Sequence, residues 1–381
     1  MGRPAVVATC PHRPPCPGCP RFGEPGISGG ARALLAALAE DAGLPPPAIV
    51  EGAPFGDRHR ARLAVRGRAA SPKIGIFQEG SHRVVDIPHC LVHHPLVNEV
   101  ATATKAALRR TGVSPYADRP HRGMLRYLQV VVERRSASPQ VVLVANDESP
   151  DALEPVAREI ERALGARLHS LWWNGNPART NTILGPAWHR WAGGEAVREE
   201  LGGVQVFFPP GAFGQSNLLL FEEIVSQVAR WVSDGARVLE FHAGCGAVGL
   251  GLLSRVERVV FNEIAPPALE GLALGLAARP EEERSRAVVL AGPAADHGTA
   301  VRDADVVIVD PPRRGLDEAV LASVAATPPG RLITISCNLD ALLRDARALL
   351  ASGRMRLAAV VPYALFPHTA HVETLACFAR V

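Results

Sequence analysis

Four residues stand at the C-terminal ends of apolar, strand-like runs in the second half of this 381-residue chain: His242, Glu263, Asp310 and Cys337. Cys337 closes "RLITISC", just before the helix-like "LDALLRDARALL". A thiol there could be inert filler, a metal ligand or a nucleophile. Asp310 ends "ADVVIVD" and is followed by Pro311 and Pro312, which stiffen the turn and remove two backbone donors. Glu373 lies among β-formers in "HVETLACF", where a carboxylate is costly unless paired or used. The stretch "VLEFHAGCGAVGLGLL" reads as strand, glycine-rich turn and helix. Gly244, Gly246 and Gly249 let a ligand approach the backbone there. Glu263 ends the next strand, where an acid can accept from ribose hydroxyls. A glycine turn with such an acid and no phosphate-binding lysine favours S-adenosylmethionine over ATP, with dinucleotides as the alternative.

A second set of residues could hold a metal. Cys10, Cys16 and Cys19 are spaced C-x5-C-x2-C, and Cys90 follows in "VVDIPHCLVHHP". Four thiolates can ligate a [4Fe-4S] cluster or a structural zinc; the other reading is a cysteine-bearing tail. His12, His93 and His94 are expected as surface or core histidines.

The elements that must position these residues follow two grammars. Up to about residue 200, helices are expected at 28–43, 95–112 and around "ALEPVAREIERALG". Short β-like runs are expected through 59–87, with "LRYLQVVVER" and "QVVLVAND" as paired strands. Beyond it, short apolar strands alternate with helices, which means an open and mostly parallel α/β sheet. Ligands in such sheets bind at the carboxyl ends of the strands.

Composition sets the bounds. A 47% hydrophobic content suits globular cores, and the length suits two domains. No apolar run approaches the roughly 20 residues of a membrane span, and no signal-peptide core is present. Seven unevenly placed cysteines argue against a secreted disulfide scaffold and for a cytoplasmic protein. Net charge is only +3, yet residues 51–135 hold 15 basic against 7 acidic side chains. Arginine-rich basicity on one domain suits either an RNA-binding face or a solvated strand face.

Together the motifs resemble those of the RNA uracil-5 methyltransferases. "AFGQSN" (212–217) is similar to the family's F-x-Q-x-N motif, and "DPPRRGLD", "SCN" and "HTAHVETLACF" to its three C-terminal motifs, in order. The four cysteines resemble the cluster site of the iron–sulfur-bearing 23S ribosomal RNA branch, in the shorter form without an N-terminal small β-barrel. The resemblance implies a C-terminal Rossmann-like class I methyltransferase domain (201–381), preceded by an α+β cluster-bearing, RNA-binding domain (1–200). It implies methyl transfer from S-adenosylmethionine to C5 of a uridine in ribosomal RNA, with tRNA as the alternative. A further alternative is an RNA-binding homologue without transfer activity. Cys337 would be the nucleophile and Glu373 the base, with Gln215, His242, Gly244, Gly246, Glu263 and Asp310 at the donor. Cys10, Cys16, Cys19 and Cys90 would hold a structural [4Fe-4S] cluster, and the enzyme would act as a monomer. The chain departs from the family pattern at Glu240, His242, Ala243 and Leu339.

Overall fold

A computed structural model describes residues 8–24 and 26–381. The chain divides into two compact units, one of residues 8–24, 53–197 and 215–218, the other of 26–52, 198–214 and 219–381.

The first unit is built on a seven-stranded sheet of order β3-β2-β1-β4-β5-β6-β7. Its strands are β1 (Arg60–Arg68), β2 (Ser71–Phe77), β3 (Val84–Asp86), β4 (Leu125–Glu133), β5 (Ser138–Ala145), β6 (Ser170–Gly175) and β7 (Ala187–Gly193). Leu63, Val65, Leu128 and Val130 project to one side and join the core beneath two helices. One is α2 (Pro95–Thr111), which Gly112 ends in the left-handed conformation, with Arg109 and Arg110 in its last turn. The other is α3 (Glu154–Leu164), which connects the parallel pair β5 and β6.

The second unit starts with α1 (Gly29–Asp41), capped by the Ser28 side chain on the amide of Ala31. Residues 26–52, expected in the first domain, belong here for a packing reason. Leu35, Leu38 and Ala39 of α1 share a core with Met355, Leu357 and Phe378, and Val50 bridges Tyr363. After the hairpin β8 (Val197–Leu201) and β9 (Val204–Phe208) come α4 (Leu218–Trp231), β10 (Arg237–Phe241), β11 (Arg258–Glu263), α5 (Pro266–Ala277) and the short α6 (Glu281–Arg284). The chain continues through β12 (Ala287–Ala291), β13 (Val306–Val309), α7 (Glu318–Ala326), β14 (Arg331–Ser336), α8 (Leu339–Ala351), β15 (Met355–Tyr363) and β16 (Glu373–Arg380). Sheet order is β12-β11-β10-β13-β14-β16-β15. The first five strands run parallel, and β16 and β15 close the sheet antiparallel.

One expected element differs. After β10 the chain forms turns and a single 3-10 turn, Leu250–Leu252, instead of an α-helix. Glycines at 244, 246, 249 and 251 lower helix propensity, and Gly244 and Gly246 take positive φ. Among the described residues no helix is long and apolar enough to cross a membrane.

Candidate functional site

The second unit gathers its carboxylates and one thiol at the C-terminal edge of the parallel strands. β10 and β11 run in register from Arg237↔Arg258 to Phe241↔Asn262, so His242 and Glu263 emerge side by side. His242 bends back at φ 57° into the glycine turn. The Gly244 amide donates to Glu263 Oε2 at 2.8 Å, while Glu263 Oε1 accepts from the amides of Ile264 and Ala265, each at 2.7 Å. The acid is thus aimed by backbone donors, and its oxygens retain lone pairs for a ligand hydroxyl. Burial lowers the His242 pKa, which makes it a neutral ring beside this acid.

Glu240 stands one strand-alternation below His242 and is 4% exposed. Burial first, and Asp310 second, push its carboxyl up to about 8. Gly249 is required by close approach: a Cβ there would fall 2.2 Å from Glu240 Oε2 and 2.5 Å from a Phe261 ring carbon. Asp310 leaves β13 with a partly exposed edge, and burial raises it to about 7.

Cys337 follows the last residue of β14. Asn338 fixes the turn beyond it. Its side chain caps α8 by accepting from the Ala341 amide and donates to the Arg313 carbonyl at 2.9 Å. Cys337 lines a cavity of about 360 Å³ with Arg313, Asn338 and His371, and with Ala31 and Leu34 of α1. Burial raises the Cys337 thiol pKa; Glu373 and Asp310 raise it further, and Arg313 opposes them. Glu373 is 1% exposed, and among the described residues neither carboxylate oxygen has a hydrogen-bond partner. Burial and Asp310 hold its pKa well above the usual carboxylate range.

Of the residues singled out from sequence, the structure gathers His242, Gly244 and Glu263 at one turn, and Asp310, Cys337 and Glu373 as electrostatic neighbours. Gly246, at φ 78°, packs against Leu250 and Leu272. Gln215 is buried and is assigned to the first unit. The cavity-lining Ala31, Leu34 and His371 escaped the sequence reading. Only Leu34, 45% exposed on an otherwise inward-facing apolar pattern, is unusual, and that exposure is a property of the fold.

In the first unit the segment carrying Cys10, Cys16 and Cys19 lies against the loop of Cys90. His12 Nε2 accepts from the His89 amide at 3.1 Å, and the two rings stack. The four thiols are electrostatic neighbours. Burial, then Cys90, Cys16 and Cys10, push Cys19 up to about 11, and Cys16 is raised in the same way. Arg58 lies close to Cys19 and Cys90. Among the described residues no three His, Cys, Asp or Glu side chains are gathered as a single metal ion requires. His93 is buried with a pKa lowered to about 4, mainly by burial, and the His94 side chain caps α2.

A protein-family model described as tRNA (Uracil-5-)-methyltransferase matches residues 300–381, the stretch that delivers Asp310, Cys337 and Glu373. An uncharacterized RNA methyltransferase of Protochlamydia amoebophila is 35% identical over 383 residues, covering 98% of this chain and 97% of that one. The chain belongs to the RNA uracil-5 methyltransferase family, whose members use S-adenosylmethionine. Another RNA methyltransferase, from Gloeobacter violaceus, is 30% identical over 98% of this chain and 85% of its own length. The fold matches that of the Pyrococcus abyssi tRNA (uracil-54, C5)-methyltransferase, solved with S-adenosyl-L-homocysteine. The TM-score is 0.75 at 24% identity, covering 92% of this chain and 82% of that one. The methyltransferase therefore carries its sheet-edge thiol and acids on a scaffold shared with a known RNA-modifying enzyme.

Proposed function

We propose that this methyltransferase transfers a methyl group from S-adenosylmethionine to C5 of a uridine in RNA, through a covalent adduct between Cys337 and C6 of the base. The observation that carries this reading is the cluster of Cys337 with Glu373, a buried carboxylate whose two oxygens have no partner among the described residues. A carboxylate held so is costly, which fits a group awaiting a proton from a ligand.

C5 of uracil is a weak nucleophile. The Cys337 thiolate adds to C6, forming the S–C6 bond and moving the C5=C6 electron pair toward C5 as an enolate. C5 then takes the methyl carbon from the donor sulfonium, whose C–S electron pair remains on sulfur as S-adenosylhomocysteine. The Glu373 carboxylate removes the C5 proton, the electron pair restores C5=C6, and the C6–S bond breaks to release the thiolate. Arg313 favours the thiolate electrostatically. Asp310 supports the donor side, and Glu263 accepts from the ribose, with His242, Gly244 and Gly246 shaping the same turn and Gln215 a further donor contact. The target base must leave its stack to reach a thiol inside a cavity, which favours a loop or single-stranded substrate.

Cys10, Cys16, Cys19 and Cys90 would hold a [4Fe-4S] cluster. What supports a shared site is that Cys10, Cys16 and Cys90 all act electrostatically on Cys19. Such a cluster would tie the N-terminal segment to the Cys90 loop. That site supports 23S ribosomal RNA as the substrate over tRNA. Every proposed catalytic residue comes from one chain, and we propose that it works as a monomer in the cytoplasm, where these thiols stay reduced.

The test is methylation of ribosomal RNA and tRNA transcripts by the purified protein with labelled S-adenosylmethionine, followed by nucleoside analysis. 5-Methyluridine in ribosomal RNA alone is the expected product. 5-Methyluridine in tRNA would move the substrate, and a different methylated nucleoside would overturn the chemistry.

A further inference from the structure

A second cavity lies on the first unit, and the reaction proposed above does not use it. It encloses about 740 Å³, ample for a nucleotide-sized ligand, and holds no thiol. Strand alternation explains its walls. While Leu63, Val65 and Leu128 face the helices, Arg62, Ala64 and Arg66 of β1 face the other way. Ala64 opposes Gly75 on β2 and Tyr127 on β4, so two small residues form a floor between the rings of Phe77 and Tyr127.

Two arginines make these walls rigid. The Arg66 guanidinium lies 4.8 Å from the Tyr116 ring centre, 5.2 Å from Phe77 and 5.5 Å from Tyr127. It also donates to both Asp118 oxygens and to the carbonyls of Val65 and Arg126. Arg126 is 4% exposed and donates to the carbonyls of Asn176 and Ala178, which anchors the loop carrying Arg179; among the described residues the Arg126 Nε has no partner. Tyr116 and His121 brace that loop from the opposite wall, through a hydrogen bond from the His121 ring to the Pro177 carbonyl.

Two other cations remain available. Among the described residues Arg62 spends Nε on Gln129 and leaves its terminal nitrogens unbonded, and Arg179 makes no hydrogen bond. The acids in the lining are Asp118, committed to Arg66, and the exposed Glu79. Preset aromatic faces beside unspent arginines suit a stacked base with its phosphate.

We propose that this pocket binds one unstacked nucleotide of the RNA substrate other than the methylated uridine. Its base lies against Tyr127 and Phe77, and its phosphate meets Arg62 and Arg179. The proposal rests on RNA being the substrate and adds a second anchoring point.

The test uses a fluorescein-labelled, unstructured RNA dodecamer carrying 4-thiouridine, with anisotropy for affinity and photocrosslinking for location. Arg62→Ala and Arg179→Ala should each weaken binding about 3- to 10-fold and lower the salt slope by about 0.7, one phosphate each. Tyr127→Ala should weaken it about 5- to 100-fold, the range of a lost base–aromatic stack, and Tyr127→Phe should restore it. Arg109→Ala, the same charge change on α2, should have less than a twofold effect. Crosslinks are expected in the peptides of β1, β2 or β4. Equal losses for Arg109→Ala, unchanged affinity in all variants, or crosslinks confined to the Cys337 region would each overturn the pocket. Arg179 is exposed on a loop, so its variant tests the idea even if Tyr127→Ala fails to fold. Crosslinks here without any 5-methyluridine product would leave the pocket standing and remove the proposed reaction; product formation by all variants at wild-type kcat/KM would do the reverse.

Discussion

Cys337 and Glu373 are the next pair outward in an antiparallel ladder whose last bonded rung is Ser336 opposite Thr374. The closing antiparallel strand therefore brings a carboxylate to the thiol that the parallel part of the sheet delivers. Residues 36 positions apart meet through strand register, and Asp310 reaches the same place from the neighbouring strand β13.

This pairing predicts opposite phenotypes for the two residues. Cys337→Ala should abolish 5-methyluridine formation while leaving donor binding within about twofold. Glu373→Gln should still form the adduct and methylate it, then fail to release it. A covalent protein–RNA band on a denaturing gel is the signature, and its absence in Glu373→Gln removes the base role.

The same neighbours set the pH response of the thiol. Burial and two acids raise the Cys337 pKa above its ordinary value, so little thiolate exists at neutral pH. Iodoacetamide labelling of the Cys337 peptide, followed by mass spectrometry in the absence of RNA, should accelerate up to and beyond pH 9. In Glu373→Gln one of the opposing charges is gone, and the profile should move to lower pH. A midpoint below 9 in the wild type, or identical profiles, would contradict the assigned environment.

What the sequence made legible divides along physical lines. Strand-end chemistry was readable because apolar runs end abruptly at Asp310 and Cys337, and open parallel sheets bind ligands at that edge. Glu373 was readable because a carboxylate in a β-rich apolar run is anomalous. The placement of 26–52 was not, because α1 is an ordinary Ala/Leu helix whose partner strands β15 and β16 come more than 300 residues later. The α-helix expected after the glycine turn failed because close packing at Gly249 and Gly246 overrode the Val-Leu-Leu pattern. The cavity of the first unit was visible only as arginine-rich basicity; which arginines are spent on Asp118 or on carbonyls depends on register.

The four N-terminal cysteines give a spectroscopic prediction. Anaerobically purified protein should be brown, with broad absorption near about 400 nm. Cys90→Ser should bleach it and loosen the 8–24 segment, read as faster proteolysis there. Stoichiometric zinc in a colourless protein would refute the cluster.

Glu240 offers a test of the donor turn that needs no substrate. Its carboxyl has a folded-state pKa of about 8 against an ordinary 4.5, because it is buried and near Asp310. Between those values the unfolded chain has lost the proton that the folded chain keeps, so the wild type must lose stability as pH rises through this window. Each pH unit inside it costs up to about 1.4 kcal/mol, or roughly 3–6 °C in Tm for a domain of about 200 residues. Glu240→Gln keeps the neutral form at every pH and removes that contribution. Asp310 and Glu373 act in the same direction in both proteins, so the difference reports position 240 together with its coupling to Asp310. The variant's Tm should therefore gain on the wild type steadily from pH 5.5 to 8 in thermal melts. Parallel curves would mean that Glu240 already ionises at its ordinary pKa in the fold.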